Sequence, residues 1–354
     1  MRALWRSKKN KIKRLKKLDG SWCTDQAEMR HIAQQYFEEV FTRDDCLEPE
    51  ELVNLVEAKV TDEMNLSLCK PYSDEEISDA LFQIGPLKAP GPDGFPARFF
   101  QRNWEILRED VTRAVKDFFD TGVMPPGVND TAIVLIPKVA YPESLKDFRP
   151  ISLCNVVTIL QDIISAKQSA FIPDRMITDN ALIDFECLHS IHTAKDERSK
   201  FCAYKLDLSK AYDRVDWGFL EKVLLKLGFQ SQWVQRIMSC ISSVRYTVRF
   251  NGVPSASFTP TRGLRQGDRL SPFLFLFVAD GLSTLLQKKV QDRSLQELKV
   301  CRGAPGISHL LFADDTLLFF KANVEPASVV KQALDLFAGC TGQLIKSGKM
   351  SYHV

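Results

Sequence analysis

The chain has 354 residues, 45% hydrophobic and 26% charged, with a formal net charge of +2. That is a globular balance, long enough for two domains or one large core. It excludes collagen-like chains, coiled-coil arrays and disulfide miniproteins, and no apolar run is expected to reach the ~20 residues of a membrane span. The charge is unevenly spread: residues 1–20 hold nine Lys/Arg against one acid, Asp19, while the rest holds 38 basic against 44 acidic residues. Lys8, Lys9, Lys11, Lys13, Arg14, Lys16 and Lys17 suit phosphate contacts or a nuclear-import signal; a solvated helix face or a frayed terminus is the alternative. Nine cysteines stand singly, with no C-x-x-C pair, which reads as reduced thiols in an intracellular protein. Cys187, His189 and His192 are read as helix-face residues rather than a zinc site.

In chain order, Ser73-Asp74-Glu75-Glu76 is a capping box, followed by Ile77, Ala80, Leu81 and Ile84 at helical spacing. Ala89-Pro90-Gly91-Pro92-Asp93-Gly94 is a turn-rich loop that ends the helix. Residues 97–121 read as one helix with Val111, Val115, Phe118 and Phe119 on one side, and 131–136 as a buried strand stopped by Pro137. A β-like run at 201–204 precedes Leu206. Phe219, Leu220, Val223, Leu224 and Leu227 mark a helix ended by Gly228, and Trp233, Ile237 and Ile241 mark the next. Tyr246, Val248 and Phe250 alternate up to an Asn251-Gly252 hairpin signal. Residues 271–286 read as an apolar helix with Pro272 near its start. Residues 307–320 read as two strands joined at a tight turn. Without a βαβ rhythm, the class is α+β with an antiparallel sheet.

Asp314-Asp315 interrupts an apolar segment, Leu310-Leu311-Phe312-Ala313 before and Leu317-Leu318-Phe319-Phe320 after. Adjacent like charges beside a core require compensation, which a hard divalent cation such as Mg²⁺ supplies; a solvated turn at a hairpin tip is the alternative. Asp207, at the end of its own β-like run, would converge on Asp314 if the two strands were neighbours, and three carboxylates can hold two metal ions for phosphoryl transfer. Arg262-Gly263-Leu264-Arg265-Gln266-Gly267-Asp268 has glycines for close backbone approach and Arg265 to meet phosphate.

Segments 204–213, 262–272 and Phe312-Ala313-Asp314-Asp315 resemble motifs A, B and C of reverse transcriptases. Lys88-Ala89-Pro90-Gly91-Pro92-Asp93-Gly94, Leu135-Ile136-Pro137-Lys138, Asp147-Phe148-Arg149-Pro150-Ile151-Ser152-Leu153 and Gln168-Ser169-Ala170-Phe171 are more narrowly similar to plant LINE-type, non-LTR retrotransposon polymerases. The resemblance implies α+β right-hand polymerase fingers and palm with an antiparallel palm sheet and the thumb absent. It divides the chain into a basic and helical N-terminal extension at 1–70, fingers at 71–203 and palm at 204–354. It implies RNA-directed DNA synthesis with two Mg²⁺ ions, dNTPs and an RNA template carrying a DNA primer, in an intracellular, nuclear setting with no membrane. Asp207, Asp314 and Asp315 would be catalytic metal ligands. Tyr212 would be the gate beneath the sugar, and Gln266 and Gly267 would lie beside nucleotide and template. Arg149 and Lys138 would hold phosphates, and Lys349 would be a proton donor to pyrophosphate. Tyr212 as a core aromatic, Arg149 as a turn cap and Lys349 as a solvated lysine are the alternatives; Asp213 and Asp216 read as structural. Departures from the family pattern are a short 157–167 segment, Asp174 for Gly, Arg269 for Pro, Lys346 for Asn and Met350 for Ser. An inactive relic that at most binds nucleic acid, and a two-metal nuclease, are the rival functions.

Overall fold

The structure, a computed structural model, describes residues 10–17, 19–44, 46–154, 177–193, 201–312, 315–346 and 350–351. In chain order the strands are β1 (Leu15–Lys16), β2 (Trp22–Cys23), β3 (Asp130–Pro137), β4 (Phe148–Cys154), β5 (Phe201–Ser209), β6 (Arg245–Phe250), β7 (Val253–Phe258), β8 (His309–Phe312), β9 (Asp315–Lys321), β10 (Leu344–Lys346) and β11 (Met350–Ser351). The helices are α1 (Gln26–Phe41), α2 (Glu50–Val53), α3 (Asp62–Cys69), α4 (Asp74–Gln83), α5 (Ala97–Arg102), α6 (Trp104–Thr121), α7 (Ile177–Thr193), α8 (Trp217–Leu227), α9 (Ser231–Ser242), α10 (Leu270–Gln291) and α11 (Val324–Thr341). They form two compact units. The first is drawn from Met1–Arg43, Leu66–Ile164 and Ser231–Ser271; the second from Asp44–Asn65, Ser165–Gln230 and Pro272–Val354.

The first unit is built on a sheet of order β4-β3-β6-β7. Met29, Ala33, Phe37 and Phe41 recur every fourth residue of α1, so they line one stripe, and this stripe covers Ile133, Leu135, Phe148, Tyr246, Val248 and Phe250. The opposite face carries Ile136 and Arg149, which are cross-strand partners and exposed. The capping box forms at Ser73 and Glu76 as the sequence predicts. The helix expected over 97–121 is instead α5 and α6, separated at Asn103 (φ −105°, ψ 22°), whose side chain donates to the Phe99 carbonyl at 2.7 Å. Its backbone N–H donates to the same carbonyl at 3.1 Å, so Asn103 closes α5, and its own carbonyl accepts the Ile106 and Leu107 N–H groups that begin α6. The described part of the basic tract runs as loop and the β1–β2 ribbon, not as a helix: Arg14 stacks 4.2 Å over the Trp22 ring and Lys17 pairs with Glu28.

In the second unit the sheet order is β10-β5-β9-β8, with β11 also on β5, and every pairing is antiparallel. α11 packs on β9, burying Val330, Ala333 and Phe337. Cys187 of α7 joins Ala203, Phe319 and Leu298 in a second cluster. His189 and His192 lie on α7 and are exposed. One expectation fails here: α10 is long and apolar enough to cross a membrane. Most of its apolar window is buried, with Leu274, Phe275, Val278, Leu282 and Leu286 in the core, so the protein itself covers that surface.

Candidate active site

β5 alternates buried Cys202, Leu206 and Leu208 with exposed Lys205 and Asp207. The β5–β9 register makes Asp207 and Asp315 direct Cα partners. Directly opposed residues of an antiparallel pair project to the same face, with Cβ atoms roughly 5 Å apart, where two like charges repel. Both carboxylates are more than half exposed, and each meets one ammonium: Lys346 Nζ lies 3.5 Å from Asp207 Oδ2, and Lys205 Nζ lies 3.3 Å from Asp315 Oδ1. Lys346 is the β10 partner of Asp207, so Lys346, Asp207 and Asp315 form one row across three strands. β8 and β9 are the two strands predicted around the paired acids. Asp314 and Lys349 lie outside the described residues, as do Gln168-Ser169-Ala170-Phe171 and Asp174. Among the described residues no three His, Cys, Asp or Glu cluster as a metal site. The donor chemistry of Asp207 and Asp315, hard oxygens on one face, is of the kind a divalent cation takes.

Past β5 the chain turns sharply. Lys210 adopts φ 58°, in the left-handed region that costs a side-chain-bearing residue roughly 1 kcal/mol, and a 3-10 turn spans Tyr212–Arg214. The Tyr212 ring stacks on Phe275 of α10, with centroids 4.8 Å apart and planes 20° apart. Buried Asp213 pairs with Lys210 at 3.9 Å, and the Asp216 carboxylate accepts the Phe219 N–H at 2.8 Å, capping α8. The end of α11 buttresses this turn. Gln343 Nε2 donates to the Ala211 carbonyl (2.9 Å), Arg214 Nε to the Gly342 carbonyl (3.0 Å) and Asp216 N–H to the Thr341 carbonyl (3.0 Å). The sequence reading missed this support; its one visible signal is Gly342 closing α11 in the left-handed conformation (φ 74°).

The remaining predicted residues belong to the first unit. Lys138 is exposed, and its N–H donates to the Asp147 carbonyl at 2.7 Å. The Ser144 N–H holds the Asp147 carboxyl below its ordinary range. The Ser152 N–H donates to the Gln266 carbonyl (2.8 Å), tying β4 to the glycine loop, where Gly267 takes φ 98°. Arg265 requires a correction. It is buried, pairs with Asp268 at 2.7 Å and donates to Asn129, so it organises the loop from inside instead of meeting phosphate. Arg262 is buried too, its Nε on the Val40 carbonyl at 2.9 Å. Asp268 Oδ1 accepts the Leu270 N–H (3.0 Å) at the start of α10.

Residues 136–351 match the reverse transcriptase (RNA-dependent DNA polymerase) family. The uncharacterised 149 kDa protein of transposon TX1 from Xenopus laevis is 27% identical over 350 residues, 94% of this chain and 26% of that protein. A retrovirus-related Pol polyprotein from a type-2 retrotransposable element of Drosophila melanogaster is 27% identical over 261 residues, 71% of this chain and 23% of its own length. An uncharacterised mitochondrial protein of Arabidopsis thaliana is 48% identical over 66 residues, 19% of this chain and 54% of its own. The chain thus spans about a quarter of the length of the first two relatives.

Proposed function

Because the chain belongs to the reverse transcriptase (RNA-dependent DNA polymerase) family, and its relatives include retrotransposon proteins, we propose that it is the polymerase domain of a non-LTR element, adding dNTPs to a DNA primer on an RNA template. The observation that carries this reading is the cross-strand pair Asp207 and Asp315 on one open sheet face. The family generally uses divalent metal ions. Two Mg²⁺ ions held by Asp207, Asp314 and Asp315 would lower the pKa of the primer 3′-hydroxyl and stabilise charge on the transferred phosphoryl group. Tyr212, held flat by Phe275, is the proposed wall beneath the sugar that rejects a 2′-hydroxyl. Within the first unit, exposed Arg149 and Lys138 are the proposed phosphate contacts, and Gln266 and Gly267 the proposed neighbours of nucleotide and template. The Arabidopsis match supports a plant lineage.

Primer extension on poly(rA)/oligo(dT) tests the reading with the wild type, Asp207→Asn and Asp315→Asn. Mg²⁺-dependent extension lost in both variants is the expected result. Nucleic-acid binding with no extension in the wild type would leave an inactive relic, and primer shortening would point to a nuclease.

A further inference from the structure

Asp207 and Asp315 are not bare. Each is matched by one lysine on the same face, Lys346 from the next strand and Lys205 two residues before Asp207. The pairs are alike in exposure, with lysine side chains 58% and 61% accessible and carboxylates 56% and 53% accessible. Among the described residues each lysine ion-pairs with that one carboxylate. Two acids placed face to face repel, and in this structure the lysines offset part of that repulsion.

The same oxygens cannot serve both cations fully. An ammonium at 3.3–3.5 Å crowds one oxygen of its carboxylate and offsets part of the charge that would draw in a divalent ion. Magnesium needs its carboxylate oxygens at about 2.0–2.1 Å with near-octahedral geometry. Lysine is suited to exchange, since its charge sits on a flexible four-carbon stem and swings aside without moving the strand. Exposed ion pairs are also weak enough to exchange readily.

We propose that Lys346 is an intramolecular counter-ion of Asp207 that a divalent metal must displace, with Lys205 acting likewise at Asp315, so that the two lysines set the metal concentration at which the site fills. This rests on the metal-binding role given to the carboxylates above. Lys346 is therefore a positioning residue: it holds the site together without metal and weakens metal binding. A lysine on the edge strand β10 that served only to discourage edge pairing would leave metal affinity alone.

Mn²⁺ binding to the full chain, followed by the electron paramagnetic resonance signal of free Mn²⁺ and by competition with Mg²⁺, tests this without nucleotide or turnover. Lys346→Met should tighten Mn²⁺ binding about three- to tenfold, the range expected when a paired and repelling charge is removed at the surface. Lys346→Arg, which keeps the charge, should not tighten it, and the Lys205→Met/Lys346→Met double variant should bind more tightly than either single one. Thermal unfolding adds a readout of opposite sign: Lys346→Met melts lower than the wild type in EDTA and gains more from saturating Mn²⁺. Lys346→Gln repeats the test should methionine on the edge strand aggregate. Unchanged or weaker Mn²⁺ affinity in Lys346→Met, while Asp207→Asn still impairs binding, overturns the counter-ion proposal and leaves the polymerase reading intact. Mn²⁺ binding indifferent to both Asp207→Asn and Asp315→Asn removes the metal site itself, and the proposal with it.

Discussion

Replacing Arg265 with methionine tests whether the glycine loop is held by a buried charge or by its backbone alone. The guanidinium Nε lies 2.7 Å from Asp268 Oδ2, and both side chains are 2% exposed. Its other end donates to Asn129 Oδ1, while Asn129 Nδ2 donates to the Cys240 carbonyl at 2.8 Å. Methionine fills similar volume but leaves the Asp268 carboxylate in the interior without its cation, while it still accepts the Leu270 N–H. Removing one partner of a buried pair costs about 3–5 kcal/mol, against about 0–1 kcal/mol for an exposed pair. The Arg265→Met/Asp268→Leu double variant should recover most of that loss. It should not recover all of it, because the Leu270 N–H then lacks its acceptor, at about 1–3 kcal/mol. Equilibrium urea unfolding, read by tryptophan fluorescence and circular dichroism together, gives both values. A single-variant loss below about 1 kcal/mol would refute the argument, since that is the scale of a surface pair. A second measurement checks the correction to the role of Arg265. The salt dependence of RNA binding should keep its slope in Arg265→Met, and a slope reduced by about 0.9, the value of one phosphate contact, would return Arg265 to the nucleic acid.

Three further outcomes follow from geometry. His309, whose ring nitrogens meet Ser283 Oγ (2.8 Å) and Ser308 Oγ (2.9 Å), is held below its ordinary 6.5 by burial, so the folded protein favours the neutral ring. That contribution is complete above pH 6.5 and is lost as pH falls from 6.5 through the lowered folded value. His309→Gln should therefore flatten the pH dependence of the urea midpoint below pH 6.5, and an unchanged slope would assign it elsewhere. Gly342→Ala should cost more stability than Gly267→Ala: both need positive φ, but the added methyl lies 2.7 Å from the Arg214 carbonyl in the first case and 3.5 Å from the Ser152 carbonyl in the second. About 1–3 kcal/mol is expected for the former by thermal unfolding, and equal losses would remove the steric argument. Tyr212→Ala should raise ribonucleotide incorporation relative to deoxyribonucleotide in primer extension, while an unaltered ratio would make Tyr212 merely the packing partner of Phe275.

The local parts of the fold were legible because their causes are local. Ser73 and Glu76 satisfy each other's backbone within one turn, and Asn251-Gly252 provides the two positive φ values, 49° and 89°, of a tight hairpin. The failures have non-local or competing causes. The parallel pairing of β3 with β6 joins segments more than a hundred residues apart, and no spacing within either strand announces it. Asn103 reads as an ordinary polar position in a helix, yet it leaves helical φ/ψ and caps α5 with two bonds to the Phe99 carbonyl. α10 is apolar enough for a membrane and is used for a core, a choice made by what packs on it.

Charge placement shows the sharper limit. The paired acids at 314 and 315 stand out because they interrupt an apolar segment, and Asp207 because it ends a β-like run and is expected to face Asp314; the strand register sets Asp315 directly opposite it. Arg265 carried the same sort of signal, a charge in a glycine-rich loop, and led the wrong way because Asp268 three residues later allows both charges to be buried together. Sequence shows that a charge exists; packing decides whether its partner is permanent. A pair sealed at 2% exposure cannot be exchanged for an incoming ion or phosphate without unfolding the loop around it, so it suits a scaffold. Pairs left more than half exposed can be exchanged, which is what a site needs if its own lysines are to give way to a substrate or a metal.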